Sequence, residues 1–416
     1  MTRSVVTAVG GAWESDLVTA VEGTAGYTVA RRCADVADLL AAAAAGVGEV
    51  ALVSPELRSL DRSALHQLAT HEVQVAGVTA PGDDLGERRL RQLGLTVVLR
   101  SDLPSHELED ALDTLGDPVE LAPAEPEPAS EPGDEVVVPA TVIAVWGPTG
   151  APGRSTVALN LAAELAAAAP TLLADCDTYG SSVAQSLGLL DEAPGMAAAA
   201  RAADQGALDL AALARVAPEV TPGLRVLTGI PRAERWTELR AASVAHVLTV
   251  ARQLARFVVV DCGFAIEDDE ELSYDTLAPR RNAATLTALE NADELVVVGS
   301  AEPIGLQRLV RAVQDLASVP APTPRVVVNR VRASAVGSGP ERRIQEALAR
   351  FAGMDDLTFL PWDQQSLDAA MFAGTSLAEQ APASELRRAI ATLAATYAGG
   401  SPEAGRRRSR TSRRAR

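Results

Sequence analysis

The chain has 416 residues, which exceeds one ordinary hydrophobic core and predicts two domains or three. Its composition, 47% hydrophobic and 22% charged, is that of a soluble globular protein. The net charge of −18 disfavours nucleic acid as a partner for the body of the chain.

The three cysteines, Cys33, Cys176 and Cys262, are scattered, and no two of them have the CxxC spacing of a metal site. This pattern excludes a disulfide framework and suits a reducing compartment. The N-terminal MTRSVVTAVGG is too short and too mixed for a signal peptide, and no run of 18 apolar residues predicts a transmembrane helix. The sequence therefore predicts a cytoplasmic protein, and leaves open a peripheral attachment at a membrane or cell pole.

Residues 1–116 alternate between short apolar strands and helical segments. The predicted strands are 4–9, 27–31, 49–53, 73–79 and 96–99. The predicted helices are 13–22, 36–45, 63–71, 85–93 and 106–115. Five βα units of this kind predict an α/β domain with a parallel sheet covered by helices, as in flavodoxins and receiver domains.

A linker and a second βα series follow. Residues 117–135 contain five Pro and seven acids and leave little to bury, so 117–139 is predicted to be an extended linker. Residues 140–399 are predicted to form a second α/β domain with a mostly parallel sheet, because their apolar runs are nearly continuous. Its predicted strands are 141–146, 171–174, 224–227, 257–260, 294–298, 325–328 and 358–360, and its last helix is 383–397.

The first motif of the second domain is a strand, TVIAVW, a glycine-rich turn, GPTGAPGRST, and an Ala/Leu-rich helix. Gly150 and Gly153 let the backbone curl so that N–H groups converge, and the helix N-terminus adds its positive end. The Ser155 hydroxyl can ligate Mg²⁺, Thr156 can reach an adjacent phosphate, and Arg154 can meet phosphate charge. The turn is therefore a candidate phosphate loop, Gly147–Thr156, although an ordinary βα turn remains the simpler reading.

Two acidic motifs follow, each at the carboxyl end of a predicted strand. Asp175 and Asp177 close TLLADCD, and Asp261 closes FVVVD. Doubly wound sheets bind ligands at this edge, and an acid after an apolar strand is the Walker B pattern that holds Mg²⁺. The order of the three motifs favours a nucleotide site.

With these motifs the chain resembles the MinD/ParA family of deviant Walker ATPases, and within it the CpaE-like branch, which joins a receiver-like domain to the ATPase. The resemblance covers residues 140–399, and more loosely 1–116. The family's phosphate loop falls on Thr149–Thr156. Its later motifs fall on Val328-Asn329-Arg330 and on Leu360-Pro361-Trp362-Asp363.

The resemblance implies ATP and Mg²⁺ as cofactors. It implies nucleotide contacts from Gly150, Ala151, Gly153, Arg154, Ser155, Thr156, Asn329 and Pro361, of which Asn329 and Pro361 would lie near the base. The metal-binding candidates are Ser155, Asp261 and Asp175. The catalytic candidates are Asp177, which would orient the attacking water, and Arg154.

The resemblance also implies a slow ATPase switch that positions a cellular machine, such as a pilus or secretion apparatus, a septum or a chromosome. Expected partners are a second copy of the chain in a nucleotide-dependent homodimer, and proteins that bind the N-terminal domain. The Ser-, Gly- and Arg-rich end, 400–416, is predicted to be disordered. Its segment Arg406–Arg416, with seven Arg and no acid, could contact an anionic membrane or DNA.

The loop departs from the family pattern at four positions. Thr149 stands where the family has its signature Lys, and Arg154 stands where it has the phosphate Lys; Pro148 and Pro152 are also atypical. Pro152 has no N–H, and the loss of a hydrogen bond to a charged group costs about 1.5–3 kcal/mol. The alternative is therefore a pseudo-ATPase scaffold that recruits partners without hydrolysis. A third reading is a metabolic enzyme of the same superfamily, such as a relative of dethiobiotin synthetase or of cobyrinate amidase, and no glutaminase-like Cys/His constellation or other substrate motif supports it.

The N-terminal domain lacks the aspartate that a receiver domain phosphorylates, since its third predicted strand ends at Val53-Ser54-Pro55. We therefore expect that acetyl phosphate, applied to the whole chain, leaves residues 1–116 without phospho-aspartate, while a genuine receiver protein in the same reaction is labelled. Peptide mass spectrometry after hydroxylamine treatment measures the difference. A stable phospho-aspartate within 1–116 would contradict the interpretation of this domain as an interaction module.

Overall fold

The computed structural model describes residues 2–11, 13–57, 60–115, 139–150, 152–189, 194–267 and 280–399. The predicted linker (except residue 139), Ala151 and the Arg-rich tail lie outside these ranges. The chain divides into two compact units. The first contains the N-terminal residues together with Ala200–Ala212, and the second contains the remainder. The exact domain bounds remain a prediction.

The first unit is a five-stranded, wholly parallel sheet with the strand order β2-β1-β3-β4-β5. Its strands are β1 Arg3–Ala8, β2 Tyr27–Arg32, β3 Val50–Val53, β4 Gln74–Thr79 and β5 Val98–Arg100. Its helices are α1 Glu14–Glu22, α2 Val36–Ala44, α3 Arg62–Thr70, α4 Asp84–Gln92 and α5 Ser105–Asp113. The order 2-1-3-4-5 is that of flavodoxin-like folds, so the predicted fold class is confirmed.

Buried apolar side chains on both faces explain why this sheet is parallel. Along β1, Val6 packs into one hydrophobic cluster and Val5 into another, and both are fully buried. At the carboxyl end of β3 the buried Ser54 hydroxyl accepts a hydrogen bond from the Gly10 N–H at 2.9 Å. Ser54 therefore has a structural role at the strand end where a receiver domain carries the aspartate that is phosphorylated.

The second unit is an eight-stranded sheet with the order β13-β12-β11-β6-β10-β7-β9-β8. Its strands are β6 Thr141–Trp146, β7 Thr171–Cys176, β8 Glu219–Thr221, β9 Leu224–Leu227, β10 Phe257–Cys262, β11 Glu294–Ser300, β12 Pro324–Val331 and β13 Leu357–Pro361. All seven predicted strands are confirmed. The sequence missed β8, an edge strand of three residues without an apolar run, which pairs antiparallel with β9.

Helices alternate with these strands along residues 154–397. They are α6 Arg154–Ala166, α7 Val183–Ser186, α8 Gly195–Asp204, α9 Leu210–Val216, α10 Ala241–Leu254, α11 Ala283–Glu290, α12 Pro303–Asp315, α13 Ala333–Val336, α14 Pro340–Ala352, α15 Gln364–Ala373, α16 Leu377–Gln380 and α17 Glu385–Tyr397. No helix in the described ranges has the length and apolarity needed to cross a membrane. The three cysteines are buried and unpaired, as the sequence predicted.

The strand order brings the three sequence motifs to one edge of the sheet. Strand β10 lies between β6, which leads into the phosphate loop, and β7. Within this register Asp261 of β10 is the direct neighbour of Asp175 of β7. Residues far apart in sequence therefore meet where parallel strands end.

One buried amide fixes the helix that follows the loop. In α6 the Asn160 side chain donates to the Thr156 carbonyl at 2.8 Å, and its oxygen accepts from the Leu377 N–H of α16 at 2.8 Å. Both bonds lie inside the core formed by α6, α17 and the sheet. The Asn160 amide thus links the first turns of α6 to the start of α16.

We expect Asn160→Ala to lower the free energy of unfolding by about 1–3 kcal/mol, because it leaves the buried Leu377 N–H without an acceptor. The control is Asn291→Ala, which loses the same kind of bond, from its amide to the Thr287 carbonyl at 2.9 Å, without a tertiary partner. Urea denaturation measures both. Equal effects of the two substitutions would contradict the assigned role of Asn160.

Candidate functional site

The turn after β6 is shaped by glycines in the left-handed region. Gly150 has φ +104° and Gly153, the N-cap of α6, has φ +100°. A Cβ atom at Gly153 would lie 2.4 Å from the Asn329 side-chain nitrogen. A side chain at this position is therefore excluded both by the backbone conformation and by the neighbouring strand.

Asn329 ties β12 to this turn. Its buried amide donates to the Pro152 carbonyl at 2.9 Å, and its side-chain oxygen accepts from the Arg330 N–H at 2.8 Å. Pro361, at the end of β13, is the register partner of Val331, so the two residues predicted near the base lie at neighbouring strand ends. Their contact with a base remains a prediction, since the Asn329 side chain is engaged by the loop itself.

The Arg154 side chain turns back under the loop. Its guanidinium donates to the carbonyls of Cys262 at 3.1 Å, Gly147 at 3.3 Å and Pro148 at 3.1 Å. It also lies 3.4 Å from a carboxylate oxygen of Asp177, with only 11% of the side chain exposed. Four acceptors therefore hold the positive charge that the sequence assigned to phosphate.

The carboxylate of Asp177 organises the loop after β7. One oxygen accepts from the N–H groups of Tyr179 at 2.8 Å and Gly180 at 3.1 Å, and the other faces Arg154. The Ser181 hydroxyl donates to the Asp177 carbonyl at 2.6 Å. Asp177 is 4% exposed, so this loop holds it at the edge of the site.

Asp175 is fully buried and fully hydrogen-bonded. Its oxygens accept from the N–H groups of Asp177 at 3.1 Å, Ser182 at 3.1 Å and Val183 at 3.2 Å. Burial raises the pKa of this carboxyl to about 7, although the three N–H groups oppose the increase. The contacts with Ser182 and Val183 place Asp175 at the start of α7, so its metal-binding role remains a prediction.

Asp261 is buried to the same extent but has no such donors. Neither of its oxygens accepts a hydrogen bond of standard geometry from a described residue. Burial and the neighbouring Asp175 raise the pKa of Asp261 well above its ordinary value. The Ser155 hydroxyl and the Arg154 guanidinium counteract this increase. Without a cation the buried carboxyl group retains a proton, and its ionised form is favoured only when a cation lies beside it.

The residues around Asp261 fit Mg²⁺. Within the described ranges no three His, Cys, Asp or Glu side chains cluster as a complete metal site. Mg²⁺ does not need one, because it keeps several waters and takes substrate phosphates beside one or two protein oxygens. Ser155 and Asp261 would hold the ion, at the N-terminus of a helix that also suits phosphate.

Sequence reasoning missed Arg308. It lies on α12, and its guanidinium packs against Gly150 and lies 3.5 Å from the Thr149 carbonyl. No local signal marks it, because an arginine on an amphipathic helix is expected on the solvated face. Only the pairing of β11 with β6 brings its helix to the phosphate loop.

We expect Asp261→Asn to raise the stability of the ligand-free protein by about 1–3 kcal/mol at pH 8, because it removes a buried charge without donors. The raised pKa of Asp261 determines the direction in which stability changes with pH. The native state retains a proton that the unfolded state releases above the ordinary carboxyl value of 3.8, so native stability falls as pH rises. Thermal unfolding measured between pH 5 and 8 should show a smaller fall in stability for Asp261→Asn than for the unmodified chain.

The control for this substitution is Asp356→Asn at an exposed position, which tests general charge removal from an acidic chain. If Asp261→Asn destabilises the ligand-free protein across this pH range, the carboxylate has a donor in solution and the assignment of an unpartnered charge is wrong.

Solved structures of other proteins share the fold of this domain. The ParA family ATPase from Chlorobium tepidum TLS aligns with a TM-score of 0.51 and 19% identity, over 61% of this chain and 98% of that one. The septum site-determining protein MinD of Pyrococcus horikoshii OT3, complexed with Mg-ADP, aligns with a TM-score of 0.49 and 18% identity, over 62% and 96%. The likeness to the ParA family ATPase shows the fold alone. A search of the curated proteins found no match.

The family model for the CobQ/CobB/MinD/ParA nucleotide binding domain matches residues 143–374, which include the phosphate loop, both acidic strand ends and β13. The match covers more than half of the 416 residues. This chain belongs to the CobQ/CobB/MinD/ParA nucleotide-binding family.

Proposed function

We propose that this protein is an ATP-binding switch with slow ATPase activity that positions a cellular machine. The observation that carries the proposal is the buried, unpartnered carboxylate of Asp261 beside Ser155 and the glycine-rich turn. A folded protein keeps such a charge where a cation regularly compensates it. A nucleotide with its Mg²⁺ is the ligand that suits a helix N-terminus beside this carboxylate.

ATP would lie along Gly150–Thr156, with its phosphates at the N-terminus of α6 and its base toward Asn329 and Pro361. Bound Mg²⁺ would neutralise phosphate charge, with Ser155 and Asp261 as its protein ligands and Asp175 behind them. Asp177 would orient the attacking water, since it is the carboxylate that the β7 loop holds toward Arg154. Transfer would be direct, without a covalent intermediate.

The bound nucleotide would act by changing the conformation of the loop after Asp177. The loop that follows Asp177 runs directly into α7, so a change at Asp177 alters the surface that a partner meets. Binding would favour a homodimer or a partner-bound state, and hydrolysis would reset it. We further propose that the N-terminal unit recruits protein partners and that Arg406–Arg416 contacts an anionic membrane or DNA.

The machine could be a pilus or secretion apparatus, as in the CpaE-like branch, a septum or a chromosome. Among the relatives, MinD is a septum site-determining protein by its name, and MinD of Aquifex aeolicus forms a complex with the cell division protein MinC. The proposed place of action is the cytoplasm, with peripheral recruitment to a membrane or pole.

A second candidate is a pseudo-ATPase scaffold, and one observation favours it. Arg154 is held by three carbonyls and Asp177, so moving its charge to a phosphate breaks several hydrogen bonds. Hydrogen bonds to charged groups contribute about 1.5–3 kcal/mol each. With Thr149 in place of a lysine, the loop would then bind nucleotide weakly and turn it over poorly.

The two candidates differ in a calorimetric titration of the full chain with ATP and Mg²⁺. The switch predicts saturable binding that Ser155→Ala weakens about tenfold or more, because a hydroxyl ligand of Mg²⁺ is lost. It also predicts that Asp177→Asn lowers ATP turnover about 100-fold while binding persists. Phosphate release measures turnover, and Asp356→Asn is the matched surface control. No binding by the unmodified chain would leave the scaffold as the function.

A further inference from the structure

Two consecutive helices, α8 and α9, are each divided between the two units. Residues Ala200–Ala212 belong to the first unit, although the chain on both sides of them belongs to the second. This segment contains the second half of α8 and the first residues of α9. A Cβ atom on Gly195, which begins α8, would lie 2.7 Å from the carbonyl oxygen of Val216, which ends α9. The two helices therefore form a hairpin, 195–216, with its base in the second unit and its tip in the first.

Within the first unit, the tip of the hairpin packs directly on the end of α4. Gly206 is buried and has φ +64°. A Cβ atom at this position would lie 3.0 Å from the Leu93 side chain and 3.1 Å from the Arg89 carbonyl oxygen. Leu93 is itself fully buried in a hydrophobic cluster of this unit. Both the backbone conformation and the close approach to α4 therefore require glycine here.

An opposite charge also holds the tip in place. Arg62, at the start of α3, is 5% exposed and donates to the Gln92 carbonyl at the end of α4. Burial lowers the pKa of Arg62 to about 10, and Asp204, at the end of α8, opposes this decrease. Because a buried guanidinium is costly without an anion, Asp204 favours the docked position of the tip.

The base of the hairpin is fixed to the carboxyl end of β9. The Gly195 N–H donates to the Thr228 hydroxyl at 2.9 Å, and the Met196 N–H donates to the Thr228 carbonyl at 2.8 Å. The first N–H groups of a helix have no acceptor within the helix, so Thr228 supplies what α8 itself cannot. A displacement of Thr228 therefore moves the first turn of α8.

The residue after Thr228 contacts the loop that follows β7. A Cβ atom on Gly229 would lie 2.3 Å from the Ser181 hydroxyl oxygen and 2.7 Å from the carboxyl carbon of Asp175. The same Ser181 hydroxyl donates to the Asp177 carbonyl. Two adjacent residues, one against this loop and one against α8, thus connect the acidic strand end of β7 to the base of the hairpin.

We infer that the α8–α9 hairpin couples the N-terminal unit to the loop that carries Asp177, so that a change at the end of α4 alters this loop. The contacts form a continuous series of packed backbone and hydrogen bonds, in which glycines at both ends leave no side chain to absorb a displacement. Such coupling acts equally in both directions. It does not require a nucleotide, and only its effect on ATP turnover rests on the proposed function.

Hydrogen exchange of the full chain without nucleotide, followed by mass spectrometry, tests the coupling from both ends. We expect Gly206→Ala, at the tip, to speed exchange of amides 177–183 about fivefold or more, as for an ordinary coupling between sites. Thr228→Val, at the base, should speed exchange of amides 89–93 in the same way. Asp204→Asn keeps the size of the side chain and should act in the same direction as Gly206→Ala, should that variant fold poorly.

Each substitution has a matched control. Gly353→Ala introduces a side chain at φ +65° after α14, where nothing lies within 4 Å of the added Cβ atom, so it has the same backbone strain without the contact. Thr249→Val loses a hydroxyl bond to the Ala245 carbonyl within α10, at 3.0 Å. Both controls should leave exchange in the two segments unchanged, because they lie outside the series of contacts. The thermal midpoint verifies that every variant is folded.

A second arm adds ATP and Mg²⁺ to the same measurement. Bound nucleotide should slow exchange of amides 89–93 in the unmodified chain, and Gly206→Ala should remove most of this effect. If Gly206→Ala and Thr228→Val each alter exchange only at their own end, the inference is overturned. It is overturned too if ATP changes exchange of 177–183 and leaves 89–93 unaffected. Failure of ATP binding alone would refute only the proposed function.

Discussion

The arrangement of this site depends on two carboxylates that stand side by side in the interior. Asp175 and Asp261 are register partners at the ends of neighbouring parallel strands, and both are fully buried. In addition to the effect of burial, the charge of Asp175 raises the pKa of Asp261, and the charge of Asp177 raises the pKa of Asp175. An interior with a low dielectric constant accepts such a pair only when at least one charge is compensated.

The chain compensates the two carboxylates differently. Asp175 receives three N–H groups, two of them from the start of α7, so its charge is compensated by the fold itself. Asp261 receives no donor of standard geometry from a described residue. This asymmetry makes one carboxylate a structural anchor for the loop that carries Asp177, and reserves the other for a ligand. The same pair of acids therefore links folding of the loop to occupation of the site.

The sequence predicted the sheet well because buried parallel strands are long apolar runs with polar residues at their ends. That signal located β6, β7 and β10, and with them the three motifs. It failed for β8, whose three residues are stabilised by pairing with β9 rather than by their own pattern. It also could not rank Asp175 against Asp261, because both are acids after apolar strands and their difference lies in how the loop after β7 folds back to place its N–H groups on Asp175.

Tertiary contacts also determine where the positive charges lie, which no local pattern reveals. Arg154 follows the glycine turn and is predicted to bind phosphate, yet its long planar side chain contacts Asp177, the Cys262 carbonyl and two carbonyls of the loop itself. A lysine has a compact head with three donors and could not make this set of contacts in one plane. Arginine in place of lysine at position 154 thus places the positive charge among these buried acceptors. Arg308, which the strand order brings to the same loop, adds a second cation beside Thr149 in an otherwise acidic chain. For an anion approaching a protein of net charge −18, guanidinium groups at the loop provide a local attraction within the part of the surface that the structure describes.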